Sequence, residues 1–168
     1  MRDPMTNLPS LSEDVVQWLP RVPLYRGLSM AEVRLVASIA QEVRLEPGEY
    51  LTRTEDISTA VYVLYEGEME LVTPDQRRTR VIRPPEDYGL VSLVEPRRIV
   101  QATRALTPCR LVMVTADALH VLMDSDLSIG ATLWRNIARL QTFHFMQLVD
   151  RWAGIEPRDT FNPYTRGM

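Results

Sequence analysis

The stretch Ala60-Val61-Tyr62-Val63-Leu64-Tyr65-Glu66-Gly67-Glu68-Met69-Glu70-Leu71-Val72 decides the fold. Its first half is β-branched and aromatic, Gly67 breaks the run, and a second extended segment returns at once, the pattern of strand, tight turn and strand. Toward the C-terminus, Pro74-Asp75-Gln76 makes a polar turn. Arg80-Val81-Ile82-Arg83 reads as a further strand stopped by Pro84-Pro85, and residues 99–105 and 110–114 complete the set. Toward the N-terminus, Val43-Arg44-Leu45 alternates, Pro47-Gly48 turns the chain, and Tyr50-Leu51-Thr52-Arg53 is extended. Short strands with regular Gly and Pro punctuation predict a sandwich or barrel rather than a βαβ fold.

Helical signals flank the strands. Ser12 before Glu13 and Asp14 marks a helix start, and Pro20 and Pro23 interrupt that helix. Ser29 with Glu32 three positions on forms a capping box, followed by the apolar stripe Val33, Leu35, Val36, Ile39 and Ala40. After residue 116 the helical period returns, first as a short helix over 117–123 and then as one long helix from 128 to about 152. The expected division is an N-terminal helical segment 1–42, a β-roll 43–115, C-terminal helices 116–154 and an irregular tail 155–168. The class is α+β: an antiparallel β-roll or jelly-roll barrel with N-terminal helices and a long C-terminal helix.

Composition narrows the function. The 168 residues are 45% hydrophobic and 24% charged with net charge -3, ordinary for a globular domain and without the basic surplus of a nucleic-acid binder. A single cysteine, Cys109, excludes an internal disulfide, a structural zinc and an iron–sulfur cluster, and fits a reducing compartment. No apolar run is long enough to span a bilayer and the N-terminus carries no secretory pattern, so a cytoplasmic location without membrane insertion is expected.

Several phrases in order resemble the cyclic nucleotide-binding domain family, of the catabolite activator type. Val22-Pro23-Leu24-Tyr25-Arg26-Gly27-Leu28-Ser29 resembles the phrase leading into its helix, and Leu45-Glu46-Pro47-Gly48-Glu49-Tyr50-Leu51 its first hairpin. The stretch 60–71 is similar to its central strand pair, Tyr88-Gly89-Leu90-Val91-Ser92-Leu93 to the start of its phosphate-binding cassette, and Ala105-Leu106-Thr107-Pro108-Cys109-Arg110-Leu111 to the strand after it. The resemblance spans roughly residues 19–140. It implies a site in which helix N–H groups and an arginine hold a cyclic phosphate while a glutamate accepts the ribose hydroxyl.

Here the chain departs from the family. Tyr88, Gly89, Ser92 and Leu93 match, but Leu90 stands at the glutamate position. An apolar side chain there leaves the ribose hydroxyl unpaired, a loss of roughly 1–3 kcal/mol. Arg97 or Arg98 is the candidate phosphate arginine, yet Arg98-Ile99-Val100-Gln101-Ala102-Thr103 places Ala and Thr later than the family does, and a one-residue slip exchanges the faces of a strand. The family's glycines near Glu55-Asp56 and at Pro84-Pro85-Glu86 are also missing. Surface arginines beside Glu95 are the competing reading of Arg97 and Arg98. No cofactor is expected, and cyclic nucleotide is disfavoured.

Other chemistry is thin. His120 and His144 lie outside the strands, so no barrel metal site is expected, and His144 within Phe143-His144-Phe145-Met146 reads as a packing histidine. No nucleophile–base set has a supporting motif, so the chain is not expected to be an enzyme. Arg77, Arg78 and Arg80 read as a solvated hairpin tip. The residues after 150 are too few for the helix-turn-helix of the family's DNA-binding members, and no nucleic-acid partner is expected.

The long helix carries two stripes. Leu133, Ile137 and Leu140 form one; Trp134, Ala138, Phe145, Leu148 and Trp152 form another. One stripe covers the barrel; the other calls for a partner, the competing reading being that the helix folds back on the N-terminal helices at Trp18 and Leu19. The family's helix commonly pairs with its twin, so a homodimer or larger protein assembly is expected, with Trp134, Phe145, Leu148 and Trp152 at the interface. Phe161 and Tyr164 in the tail are expected to dock as an extended strip on a neighbouring subunit or a separate partner. The expected role is a non-enzymatic regulatory or scaffolding protein acting through protein–protein contact. The alternatives are a sensor of a small anionic ligand or nucleotide that moves the C-terminal helix, and a permanent subunit of a larger assembly.

Overall fold

The computed structural model describes residues 9–155 and 162–164. Among them the chain forms α1 (Glu13–Trp18), two 3-10 turns (Leu19–Arg21 and Pro23–Tyr25) and α2 (Met30–Ser38), then β1 (Gln41–Leu45), β2 (Tyr50–Thr52), β3 (Ala60–Glu66), β4 (Met69–Val72), β5 (Arg78–Ile82) and β6 (Asp87–Tyr88). A 3-10 helix (Leu90–Leu93), β7 (Ala102–Ala105), β8 (Cys109–Thr115), α3 (Ala116–Ser125) and α4 (Leu127–Ala153) follow. The strands make two antiparallel sheets, ordered β1-β8-β3-β6 and β2-β7-β4-β5. This is the expected α+β jelly roll with a long C-terminal helix.

Burial on both faces explains why β3 reads as a nearly unbroken apolar run. Val61 and Val63 join the core shared with the helices, while Tyr62 and Leu64 face the second sheet; in β8, Val112 and Val114 face the helices and Leu111 and Met113 the roll interior. The second sheet is covered on one side only. Its inner face supplies Met69, Ile82 and Ala105, and its outer face carries Glu70, bonded by Arg78 at 2.5 Å and by Arg104 at 2.5 Å. Gly67 is required at the β3–β4 turn: φ is +93° and a Cβ would lie 2.4 Å from the Pro108 carbonyl oxygen.

The helices close the other side of the first sheet. The Ser29–Glu32 capping box is complete. Ile129, Leu133, Ile137 and Leu140 of α4 are buried with Leu19, Leu24 and Leu28, and Asn136 Nδ2 donates to the carbonyls of Leu24 (2.9 Å) and Arg26 (2.8 Å). The first stripe of α4 therefore packs on the N-terminal segment of its own chain. Trp18 instead meets Tyr65 edge-on, with ring centroids 4.8 Å apart.

Two local expectations change. Residues 99–101 are not strand: β7 begins at Ala102, and Ile99 exchanges backbone bonds with the 55–56 turn, donating to Asp56 O (2.8 Å) and accepting from Glu55 N (2.9 Å). The two-residue strand β6 was masked in the sequence by the prolines before it and the cassette after it.

Candidate functional site

The cassette is built at the end of β6. Register pairs Tyr88 with Tyr62 and Asp87 with Val63, so Tyr88 faces the roll interior and Asp87 the helical layer. Gly89 (φ +87°) then turns the chain left-handed; a Cβ here would lie 2.4 Å from the Ala60 carbonyl oxygen, so no other residue fits. The 3-10 helix starts at once. Leu90, 4% exposed, and Leu93 enter the core shared with the helices. Ser92 is buried, with its Oγ donating to Gly89 O at 2.8 Å. His120 of α3, missed as a contributor because it is remote in sequence, has its Nε2 2.9 Å from the Leu93 carbonyl and ties the cassette to the helices.

The matched residues thus come together, but they are spent on one another. Tyr88 Oη lies 3.3 Å from Thr52 Oγ1 and donates to Gln101 O at 3.4 Å, and Thr52 Oγ1 donates to Thr103 Oγ1 at 3.2 Å. Arg98 Nη1 bonds Glu55 Oε2 at 2.9 Å, with both side chains exposed. Glu55 itself holds φ +76°, a left-handed conformation that favours glycine. Arg97 is exposed, and its carbonyl accepts from Ser58 N at 2.9 Å.

A second polar centre lies between β6 and α4. Asp87 is buried, and Tyr164 Oη donates to its Oδ1 at 2.6 Å. The same hydroxyl is 3.1 Å from His144 Nε2. With the tyrosine proton on Asp87, the imidazole must donate from Nε2. The Tyr164 ring stacks on His144 (21°, 6.1 Å) and meets Phe143 at 68° and 6.0 Å. Arg26 Nη2 donates to the carbonyl of the buried Pro163 at 3.1 Å. Burial pushes the Asp87 carboxyl up to about 6, against the pull of Tyr164 and Arg80. Burial, then the charge of Arg80, brings His144 down to about 4. Burial and Asp87 also raise the phenols of Tyr164 and Tyr25. Arg80 pairs with Glu86.

Among the described residues, Tyr164 meets β6 and α4 of its own chain. Phe161 lies outside the described residues. A spacing argument could not find this seat, because Asp87, His144 and Tyr164 are far apart in sequence and none belongs to a motif. The other α4 residues keep the outward positions expected of them. Trp152 is 91% exposed and Phe145 and Leu148 are each 63% exposed; Trp134, 43% exposed, stacks on His120 at 6.1 Å and 24°.

Next to this centre, α4 and the second sheet border a cleft of about 250 Å³ whose lining includes Leu71, Arg80, Gln101, His144, Gln147 and Arg151. None of the cassette residues 88–93 and neither Arg97 nor Arg98 lines it. Among the described residues no cluster of His, Cys, Asp or Glu could hold a metal ion, and no helix is long and apolar enough to cross a membrane.

Comparison with known proteins agrees with this geometry. The model of the cyclic nucleotide-binding domain matches residues 42–126. A protein of Rhodopseudomonas palustris named as a potassium channel is 24% identical over 120 residues, 69% of this chain; the chain spans 29% of that relative's length. The N-terminal domain of a transcriptional regulator from Streptomyces coelicolor superposes with TM-score 0.67 and 26% identity, covering 77% of this chain and 94% of that one. A cyclic nucleotide-binding domain from Methylobacillus flagellatus shares the fold with TM-score 0.73 at 16% identity, over 88% and 89% of the two chains. From the strand order, the cassette turn and the family match together, the chain belongs to the cyclic nucleotide-binding domain family.

Proposed function

We propose that this chain is a non-enzymatic regulatory or scaffolding module, cytoplasmic, that works through protein–protein contact and does not bind cyclic AMP or cyclic GMP tightly. The observation that carries the contact reading is the outer stripe of α4. Positions 134, 138, 141, 145, 148 and 152 alternate steps of four and three, the spacing of a helix–helix seam. Phe145, Leu148 and Trp152 on it are exposed at a size rare for an isolated surface. A second copy of α4 is the partner best matched to that spacing, which makes a homodimer the first form to test. The weak-ligand reading is supported by the buried Leu90 and by Arg98, which is engaged with Glu55 outside the cassette. The buried, unpaired Cys109 is consistent with a reducing compartment.

A permanent place in a larger assembly is the second reading, favoured by a chain that spans only 29% of its curated relative. Light scattering separates the two. The wild type is expected at twice the chain mass, and Trp134→Asp with Phe145→Asp at the monomer mass, because the charges would be buried unpaired in the seam. A wild type that stays monomeric at high concentration would contradict the homodimer and leave the exposed stripe for a different protein.

A further inference from the structure

The cleft between α4 and the second sheet offers a site built from residues that the family cassette does not use. Arg80 of β5 and Arg151 of α4 both line it, and among the described residues no carboxylate does. Arg151 is exposed and has no ion-pair partner among the described residues. Arg80 is paired with Glu86, which does not line the cleft. Gln101 and Gln147 add amide groups, and Leu71 gives an apolar wall. About 250 Å³ is too large for a bare inorganic ion and suits a small organic molecule.

We infer that this cleft binds a small organic anion, a carboxylate or a phosphate ester, held by Arg151 and Arg80 rather than by the cassette. Guanidinium forks facing one another across a cleft recognise such groups by charge-assisted hydrogen bonds. The position gives the ligand a consequence. His144 lines the same cleft and also holds Tyr164. An anion on Arg80 offsets the positive charge that helps keep the imidazole neutral. Occupancy is thereby linked to the contact between α4 and the Pro163–Tyr164 segment. The cleft shares Leu148 with the outer stripe, but binding is read by calorimetry and assembly by light scattering, so the two readings fail separately.

The test is calorimetric titration of the full chain with citrate and with adenosine 5′-monophosphate, using adenosine as the uncharged control, at low and at high salt. At least one anion is expected to bind with Kd below about 1 mM, more weakly at high salt, while adenosine does not. Binding of citrate alone assigns a carboxylate site, and of the nucleotide alone a phosphate-ester site. Arg151→Ala, at an exposed position that should not disturb folding, is expected to weaken binding about tenfold, the worth of one charge-assisted bond; Arg98→Ala is expected to leave it unchanged. The inference is overturned if neither anion binds, if Arg151→Ala binds as tightly as wild type, or if Arg98→Ala abolishes binding.

Discussion

Leu90 stands at the cassette position where the resemblance implies a glutamate. Its side chain sits in the core between sheet and helices, so a carboxylate there would be buried, while Arg98 already bonds Glu55. Leu90→Glu should therefore lower the melting temperature, by several kcal/mol of stability, and gain no cyclic nucleotide binding; calorimetry showing new micromolar binding would mean that the cassette can rearrange around it. Asp87 and His144 make a second residue-scale case, with opposed linkages. Asp87 has its folded pKa raised from 3.8 to about 6, so its contribution is full below 3.8 and lost as pH rises through 6. His144 has its folded pKa lowered from 6.5 to about 4, so its contribution is full above 6.5 and lost as pH falls toward 4. The two cancel across pH 4–6.5, and wild-type stability should be nearly flat there on their account. Asp87→Asn should leave a protein that weakens as pH falls through this window, and His144→Gln one that weakens as pH rises. Urea midpoints at pH 4.5 and 7 check this; parallel slopes in the two variants would contradict it.

At the scale of elements, the Pro163–Tyr164 segment joins β6 to α4. Its hydroxyl serves Asp87 and His144 together, so Tyr164→Phe keeps the ring but strips a buried carboxylate of its donor, a loss of about 1–3 kcal/mol. Truncation after Gly154 should cost at least as much and should speed amide exchange in β6 and in the second half of α4. Unchanged exchange there would mean that the segment adds nothing to the fold. Most elements were legible in the sequence because their signals are local: the capping box at Ser29, the glycine turn at Gly67, the 3.6-residue period of α4. The elements that were not legible depend on distant partners. Residues 99–101 carry strand-like side chains, yet Ile99 bonds the 55–56 turn instead of a ladder. Tyr164 reads as an anchor for a neighbouring subunit or partner, and only the folded chain brings it to Asp87. The cassette turn itself was readable, whereas the destination of Arg98 was not, since its partner Glu55 lies on another loop.

At the scale of the whole molecule, the jelly roll keeps its cassette turn, and the proposal is that this cassette does not hold a cyclic nucleotide tightly. Leu90 is buried in the core, Arg98 is tied to a surface loop, and the interior polar groups Tyr88, Thr52 and Thr103 bond one another. What the molecule presents instead is the outer face of α4. The most direct measurement is isothermal titration of the full chain with cyclic AMP and with cyclic GMP. No saturable binding in the micromolar range is expected from either. A dissociation constant of about 10 μM or tighter for one of them, worth roughly 7 kcal/mol, would contradict the proposed loss of the site and make the chain a nucleotide sensor.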